Sequence, residues 1–382
     1  MIRAGSAAII LVVVAASDAS AADTEITAIF NQSVEANDNR RLLSGPKDNS
    51  YTSVSALVVD AVARTPTTAF AITGNIAYNA FGGDGEVTSQ NTLDKGVRAQ
   101  FERRNKLGKY HISGSWQQQD ASTVQLMEDG FATLDGFVTT SSVSGGFQRK
   151  VTPVDTINWI VSGSSVDFSL PGGTPFVSAS TNGIWTHQVN RRFDLVSSMG
   201  YQRFFYDDAA NTEVDFLQAY GGFRSRLTPR LTVNGNVGVS LIKANNDGAG
   251  ATAPSDPSIG LNADVQVVYK LLPNTLVSLS AGHSTAPNIL GEFSERSSIG
   301  LALNHRINHR SGLLLYTQLQ RSTPPDGSAS DLVSAAATYT FDLTREWQSQ
   351  ISYIFRYRQT EFDNAHSNAI VFRVSRSATL LP

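Results

Sequence analysis

The chain has 382 residues, and removing a leader of about 22 leaves a length that normally means two or three soluble domains. Charged residues make up only 16%, hydrophobic ones 41%, and mean hydropathy is -0.14, which fits neither a bundle of greasy helices nor an ordinary soluble chain with about 25% charge. A formal charge of -3 leaves no basic footprint for nucleic acid, and the absence of cysteine excludes a disulfide scaffold, a thiolate zinc site and a cysteine nucleophile.

The amino terminus opens with Met1-Ile2-Arg3, continues through an apolar run over 7–16 and reaches Ala19-Ser20-Ala21. A basic start, a short apolar core and small residues at the -3 and -1 positions predict a cleaved secretory leader over residues 1–22. Its core is shorter than the roughly 20 residues a membrane-spanning helix needs, and no later apolar run reaches that length. A helical membrane protein is excluded, and export is expected.

Residues 23–382 read as one all-β domain. Phe70, Ile72, Gly74, Ile76 and Tyr78 alternate with Thr73, Asn75 and Asn79. Tyr110, Ile112, Gly114 and Trp116 alternate with His111, Ser113, Ser115 and Gln117, and segments 231–241, 261–270 and 347–358 repeat the pattern. Strand side chains alternate with period two, so each segment has one apolar and one mostly wet face. None of these segments carries helical spacing over a useful length.

Tight turns at Thr65-Pro66-Thr67, 105–108, Thr152-Pro153, Asn190-Arg191, Thr228-Pro229-Arg230, Leu272-Pro273-Asn274, 307–310 and Thr344-Arg345 alternate with longer polar connections such as 37–50, 120–136, 244–257 and 322–331. This spacing predicts a transmembrane up-and-down antiparallel β-barrel of about 18 strands. A soluble sandwich would hide its apolar faces between two sheets and would not need so polar a second face. Closure pairs the strand edges, as hydrocarbon requires.

The expected setting is the bacterial outer membrane, among lipid and lipopolysaccharide, with short turns in the periplasm and longer loops outside. Lys106, Arg191, Arg192 and Arg230 mark the short turns, whereas Asp84, Glu86, Asp247 and Glu361 mark the long connections. Tyr51, Tyr78, Phe81, Tyr110, Phe137, Phe168, Phe193, Phe205, Tyr206, Tyr269, Trp347 and Phe362 lie near strand ends. Such rings either form girdles at headgroup level or reflect the ordinary enrichment of aromatics in strands.

Chemistry-bearing constellations are sparse. His305 and His309 stand at a helical i, i+4 spacing, but along an extended strand their Cα atoms would be roughly 13 Å apart, too far for one ion. His111 shares a face with Ser113 and Ser115 without a third orienting group or a Gly-x-Ser-x-Gly elbow. No enzyme activity, metal or cofactor is expected. By alternation, Arg98, Arg104, Lys150, Lys270, Arg356, Arg358 and Arg373 project toward the lumen, mixed with Asp94, Glu102 and Asp264. They form either cross-strand ion pairs that stiffen the wall or a field that sets ion or sugar preference. Phe204 and Tyr206 are inward candidates for stacking on sugars.

The connection 120–136 is the third external one, and its Val124-Gln125-Leu126-Met127 is apolar for a loop in water. It packs either on the inner wall or over neighbouring loops. In the first case Leu126, Glu128 and Asp129 narrow the passage opposite the inward arginines.

Asn37-Asp38-Asn39-Arg40-Arg41-Leu42, the Thr-Pro turns, and the ending Tyr353-Ile354-Phe355-Arg356-Tyr357-Arg358-Gln359 with Ser367-Asn368 carry a resemblance. Over nearly the whole mature chain the sequence resembles bacterial outer-membrane barrels of the beta-barrel porin type two family, encoded with exopolysaccharide and PEP-CTERM sorting systems. The resemblance implies a porin-like passive conduit linked to exopolysaccharide secretion, with polysaccharide and periplasmic secretion components as partners. The alternative is a non-conducting structural or adhesive barrel presenting acidic external loops. The ending Thr379-Leu380-Leu381-Pro382 departs from the terminal aromatic of many such barrels. Either the internal Phe372 serves in assembly instead, or the assembly signal is atypical.

Overall fold

Period-two alternation, broken by turn residues at regular intervals, folds the chain into strands joined in sequence. The computed structural model describes residues 23–45, 49–83, 91–128, 136–169, 173–208, 211–245, 257–287, 293–324 and 328–381. The leader assigned to 1–22 lies outside the described residues. The strands are β1 (Asp23–Asn37), β2 (Ser50–Arg64), β3 (Thr68–Gly83), β4 (Thr92–Arg104), β5 (Gly108–Asp120), β6 (Phe137–Lys150), β7 (Asp155–Phe168), β8 (Phe176–Asn190) and β9 (Phe193–Tyr206). They continue as β10 (Glu213–Thr228), β11 (Leu231–Asn245), β12 (Ser258–Leu272), β13 (Thr275–Pro287), β14 (Phe293–Arg306), β15 (Ser311–Thr323), β16 (Ser330–Asp342), β17 (Trp347–Thr360) and β18 (Asn364–Leu381).

Each strand pairs antiparallel with its sequence neighbour, and β1 pairs with β18 from Ile26–Leu381 to Asn37–Ala369, which closes an 18-stranded barrel. The short turns are held by their own side chains. Asn105 Oδ1 accepts the Leu107 and Gly108 N–H groups at 3.0 and 2.8 Å, and Thr65 Oγ1 accepts the Thr68 N–H at 3.0 Å. Asn and Thr close turns in this way because their oxygens lie within reach of backbone two or three residues on.

Register sends one parity of each strand outward. Phe30, Leu57 and Ile76 stand side by side across β1, β2 and β3, all exposed, and Val237, Val265 and Ile299 are exposed on the other side of the barrel. Close packing on this face lays the Trp159 ring over Gly183, where an added Cβ would meet the ring at 2.9 Å. The inner parity of β5 to β8 carries hydroxyl pairs instead. Ser113–Ser144, Ser115–Ser142, Ser162–Ser180 and Ser164–Ser178 are hydrogen bonded at 2.6 to 2.8 Å. These pairs satisfy polar side chains across strands while leaving the inner wall low and wettable.

Two features do not follow from the alternation alone. The connection 120–136 contains a short helix, α1 (Ala121–Glu128), where the sequence offered no helical periodicity. Eight residues are too few to show an apolar stripe, and the helix rests on a capping residue instead. Of the strand-end aromatics, Phe81, Phe168 and Tyr206 face inward rather than toward a girdle, Tyr206 in line with its inward candidacy. Arg40 lies over the Phe81 ring at 4.2 Å, Phe168 packs beside α1, and Tyr206 is buried among inner aromatics. Inward-folded segments cover Phe81 and Phe168, and the inner-wall rings of Phe176 and Phe204 cover Tyr206, where lipid headgroups would otherwise supply a partner.

Candidate functional site

The lumen is the site to consider, and its external mouth is built first by the connection after β1. Asn37 Oδ1 accepts the Asn39 N–H at 2.9 Å, and the Asn39 side-chain oxygen accepts the Leu43 N–H at 3.1 Å. The Asn39 amide donates to the carbonyls of Leu43 and His366 at 2.8 and 3.1 Å. These bonds turn the chain sharply back, and Leu42, fully buried, sits at φ 52°. A left-handed non-glycine residue costs on the order of 1 kcal/mol, which its burial offsets.

The turn delivers Arg40 to the inner face of β3, over Phe81. Burial pulls the Arg40 pKa down, Glu35 and Asp120 pull it back up, and Arg41 and Arg356 reinforce the depression. Arg358, buried beside Arg356 on β17, faces the Asp363 carboxylate at 3.7 Å. The mouth therefore holds Arg40, Arg41, Arg356 and Arg358 among Glu35, Asp120 and Asp363.

Of the seven cations expected to face the lumen, the structure brings together two, Arg356 and Arg358. Arg98 stands mid-wall between Thr73 and Ser115, and Arg373 between Ser33 and Gln350. Arg104 binds Glu102 at 2.5 Å near the short turns, Lys150 ends β6 opposite Thr156, and Lys270 faces Leu276. Each shares the parity of the serine pairs or of polar neighbours, not that of Phe30 and Val265. Arg40 and Arg41, quoted in the sequence only as part of a motif, complete the mouth. The signal was the Asx-rich Asn37-Asp38-Asn39 ahead of them, which marks a tight reversal.

The third external connection adds α1. Asp120 caps it, its Oδ1 accepting the Thr123 N–H at 3.0 Å, while Asp94 Oδ1 accepts the Asp120 N–H at 2.8 Å. A capping carboxylate satisfies one of the free N–H groups of the first turn. Ala121 and Val124 pack against Val138, Val166 and Phe168, which are inward positions of β6 and β7. Leu126 and Glu128 fall within α1, and Asp129 lies outside the described residues.

Across the barrel the inner wall is apolar at the same end. Phe204, Tyr206, Val214, Phe216, Ile242 and Phe293 are buried together, with Phe176 against them. Strand order puts β9 and β10 opposite β18 and β1. A cationic wall and an aromatic wall thus face each other.

No family model and no curated protein matches the sequence. Solved structures do match. OpdK of Pseudomonas aeruginosa, solved with vanillate, superposes with a TM-score of 0.53 at 10% identity, covering 94% of this chain and 99% of that one. The fold is that of an outer-membrane β-barrel. OccK7 (OpdD) of the same organism gives the same TM-score of 0.53, identity of 10% and coverages of 94% and 99%. The FrpB iron transporter from Neisseria meningitidis gives 0.52 at 7% identity, covering 94% of this chain and 82% of that one. The chain spans 62% of the length of the copper transporter OprC, at 13% identity and a TM-score of 0.49. At such identities the likeness speaks for fold alone.

Proposed function

We propose that this barrel is a porin-like passive conduit of the outer membrane, reached through a cleaved leader, which serves exopolysaccharide secretion. The observation that carries the reading is the closed 18-stranded wall with a serine- and arginine-lined inner face. A barrel of this size encloses an aqueous channel when nothing fills it. Inward cations at the mouth favour anions, since rings of charge tune pores. The polysaccharide cargo and the periplasmic secretion partners rest on the resemblance of the Asn37–Leu42 and Tyr353–Asn368 motifs. No catalytic role is assigned to His111 or to any other residue.

Purified full-length protein in planar bilayers should give unitary current steps with anion preference. Silence from protein verified as folded would overturn the conduit. For the cargo, a strain lacking the gene should export less polysaccharide, and recover with the wild-type chain; unchanged export would remove the link. One observation favours the second reading, a non-conducting structural barrel. The first connection, α1 and the Phe204–Phe293 cluster all occupy the mouth.

A further inference from the structure

A recess of about 760 Å³ opens on the inner wall at the short-turn end of β2 to β7, the opposite end from the arginine-lined mouth. Its charged lining is Arg64, Arg98, Arg104 and Lys109 against one carboxylate, Glu102. That carboxylate is already shared, by Arg104 Nε at 2.5 Å and Lys109 Nζ at 3.4 Å. Arg64 and Arg98 form no ion pair among the described residues. Two further acids are near in register but engaged or apart. Asp60 accepts the Thr73 hydroxyl at 2.5 Å, and Asp23 faces Arg64 across the β1–β2 ladder without pairing to it.

The rest of the lining mixes hydrogen-bonding side chains, among them Gln100, Gln148, Asn158, Ser113 and His111, with small or apolar ones such as Ala69, Ala71 and Ile112. Guanidinium forks match carboxylates bidentately, and Arg64 and Arg98, both exposed to the lumen, stand open to take one. Neutral amides and hydroxyls around them suit a ligand that carries hydroxyl groups beside its charge. Wall glutamines and serines would be superfluous for a bare ion.

We propose that this recess is a loading site for an acidic saccharide, with a sugar carboxylate held by Arg64 and Arg98 and ring hydroxyls taken by Gln100, Gln148 and Asn158. Short turns mark the periplasmic end of such barrels, so the ligand enters from the periplasm, the direction of export. The role in transport rests on the conduit reading; the binding does not.

The test uses the full chain in detergent and trigalacturonate as the probe, with maltotriose as the neutral control and inorganic phosphate as the bare anion. Equilibrium binding should favour trigalacturonate over both. Arg64→Gln and Arg98→Gln should each weaken it by about tenfold, the loss of a charge-assisted bond. Arg64→Lys should fall between, since it keeps the charge and loses the fork. Arg224→Gln, a cation on the inner parity of β10 outside the recess, should leave affinity unchanged. Each variant is first checked for barrel folding by its heat-dependent gel mobility. Equal binding of maltotriose, phosphate binding as tight as trigalacturonate, or indifference to both glutamine variants would overturn the site. In bilayers, trigalacturonate should block current from the periplasmic side more strongly than from the external side, and symmetric block would overturn the assigned entry side. A silent but ligand-binding protein would defeat the conduit while leaving the recess standing.

Discussion

Asp38 and Asn368 exchange three hydrogen bonds across the seam where the last strand meets the first. The Asp38 carboxylate accepts the Asn368 backbone N–H at 2.6 Å and its side-chain amide at 2.8 Å, and the Asp38 N–H donates to the Asn368 carbonyl at 3.1 Å. Ser367 adds its hydroxyl to Asn37 Oδ1 at 2.8 Å. Two of the stretches that carry the resemblance, Asn37-Asp38 and Ser367-Asn368, are thus one structure in space, a clasp over the β1–β18 closure.

Asp38→Ala should therefore destabilise the barrel by about 2 kcal/mol, the usual worth of hydrogen bonds to a charged acceptor. Asn368→Ala, which also costs Tyr353 its partner at 2.7 Å, should destabilise at least as much. The double variant should cost clearly less than the two single losses together, because both remove the same contact. Additive effects in reversible urea unfolding would show that the clasp is not a coupled unit.

Orientation can be read with a single thiol, since the natural chain has no cysteine. Phe362, 90% exposed in the connection between β17 and β18, should react as Phe362→Cys with an impermeant reagent on intact cells. Pro273→Cys, in the short turn after β12, should react only after the outer membrane is breached. The reversed pattern would invert the assignment of turns to the periplasm.

The barrel was legible because its signal is redundant: many alternating segments each state which face is apolar, and the turns between them name their own residues. Val265 and Gln266 could be sent to opposite faces without a structure. Phe81 could have been read correctly too, because it shares parity with Thr73 and Asn79 rather than with Ile76 and Tyr78. Proximity to a strand end misplaced it. The arginine-lined mouth was only half legible. Arg356 and Arg358 follow from strand parity, whereas Arg40 reaches the lumen through Asn37, Asn39 and a positive φ at Leu42, none of which has a period. The helix α1 announces itself only by Asp120 ahead of Ala121-Ser122-Thr123, a capping residue that is equally at home in a turn.

Facing is tested most sharply on β12. Val265 is exposed on the outer parity, and Gln266 on the inner parity accepts a hydrogen bond from the Asn234 amide at 3.4 Å. Val265→Arg should cost about 2 to 4 kcal/mol if it meets acyl chains near mid-bilayer. Gln266→Arg should cost little, because water solvates it. Similar losses for both variants in a lipid refolding assay would mean that the two residues do not see different solvents.

The third external connection should act as a constriction. Asp94 fixes the Asp120 N–H, Asp120 caps α1, and Ala121 and Val124 seat the helix against Val138, Val166 and Phe168 on the inner wall. The start of α1 is therefore held inside the barrel wall, and the stretch 123–130 carries Glu128 and Asp129 in the sequence. Deleting 123–130 should raise single-channel conductance, because bulk leaves the mouth. It should also shift selectivity further toward anions, because two acids depart while Arg40, Arg41, Arg356 and Arg358 remain. The paired substitution Glu128→Gln and Asp129→Asn separates the two effects: it should move the reversal potential in the same direction with little change in conductance. A folded deletion variant with wild-type conductance would place the narrowest point elsewhere, with the Phe204–Phe293 wall as the next element to shorten.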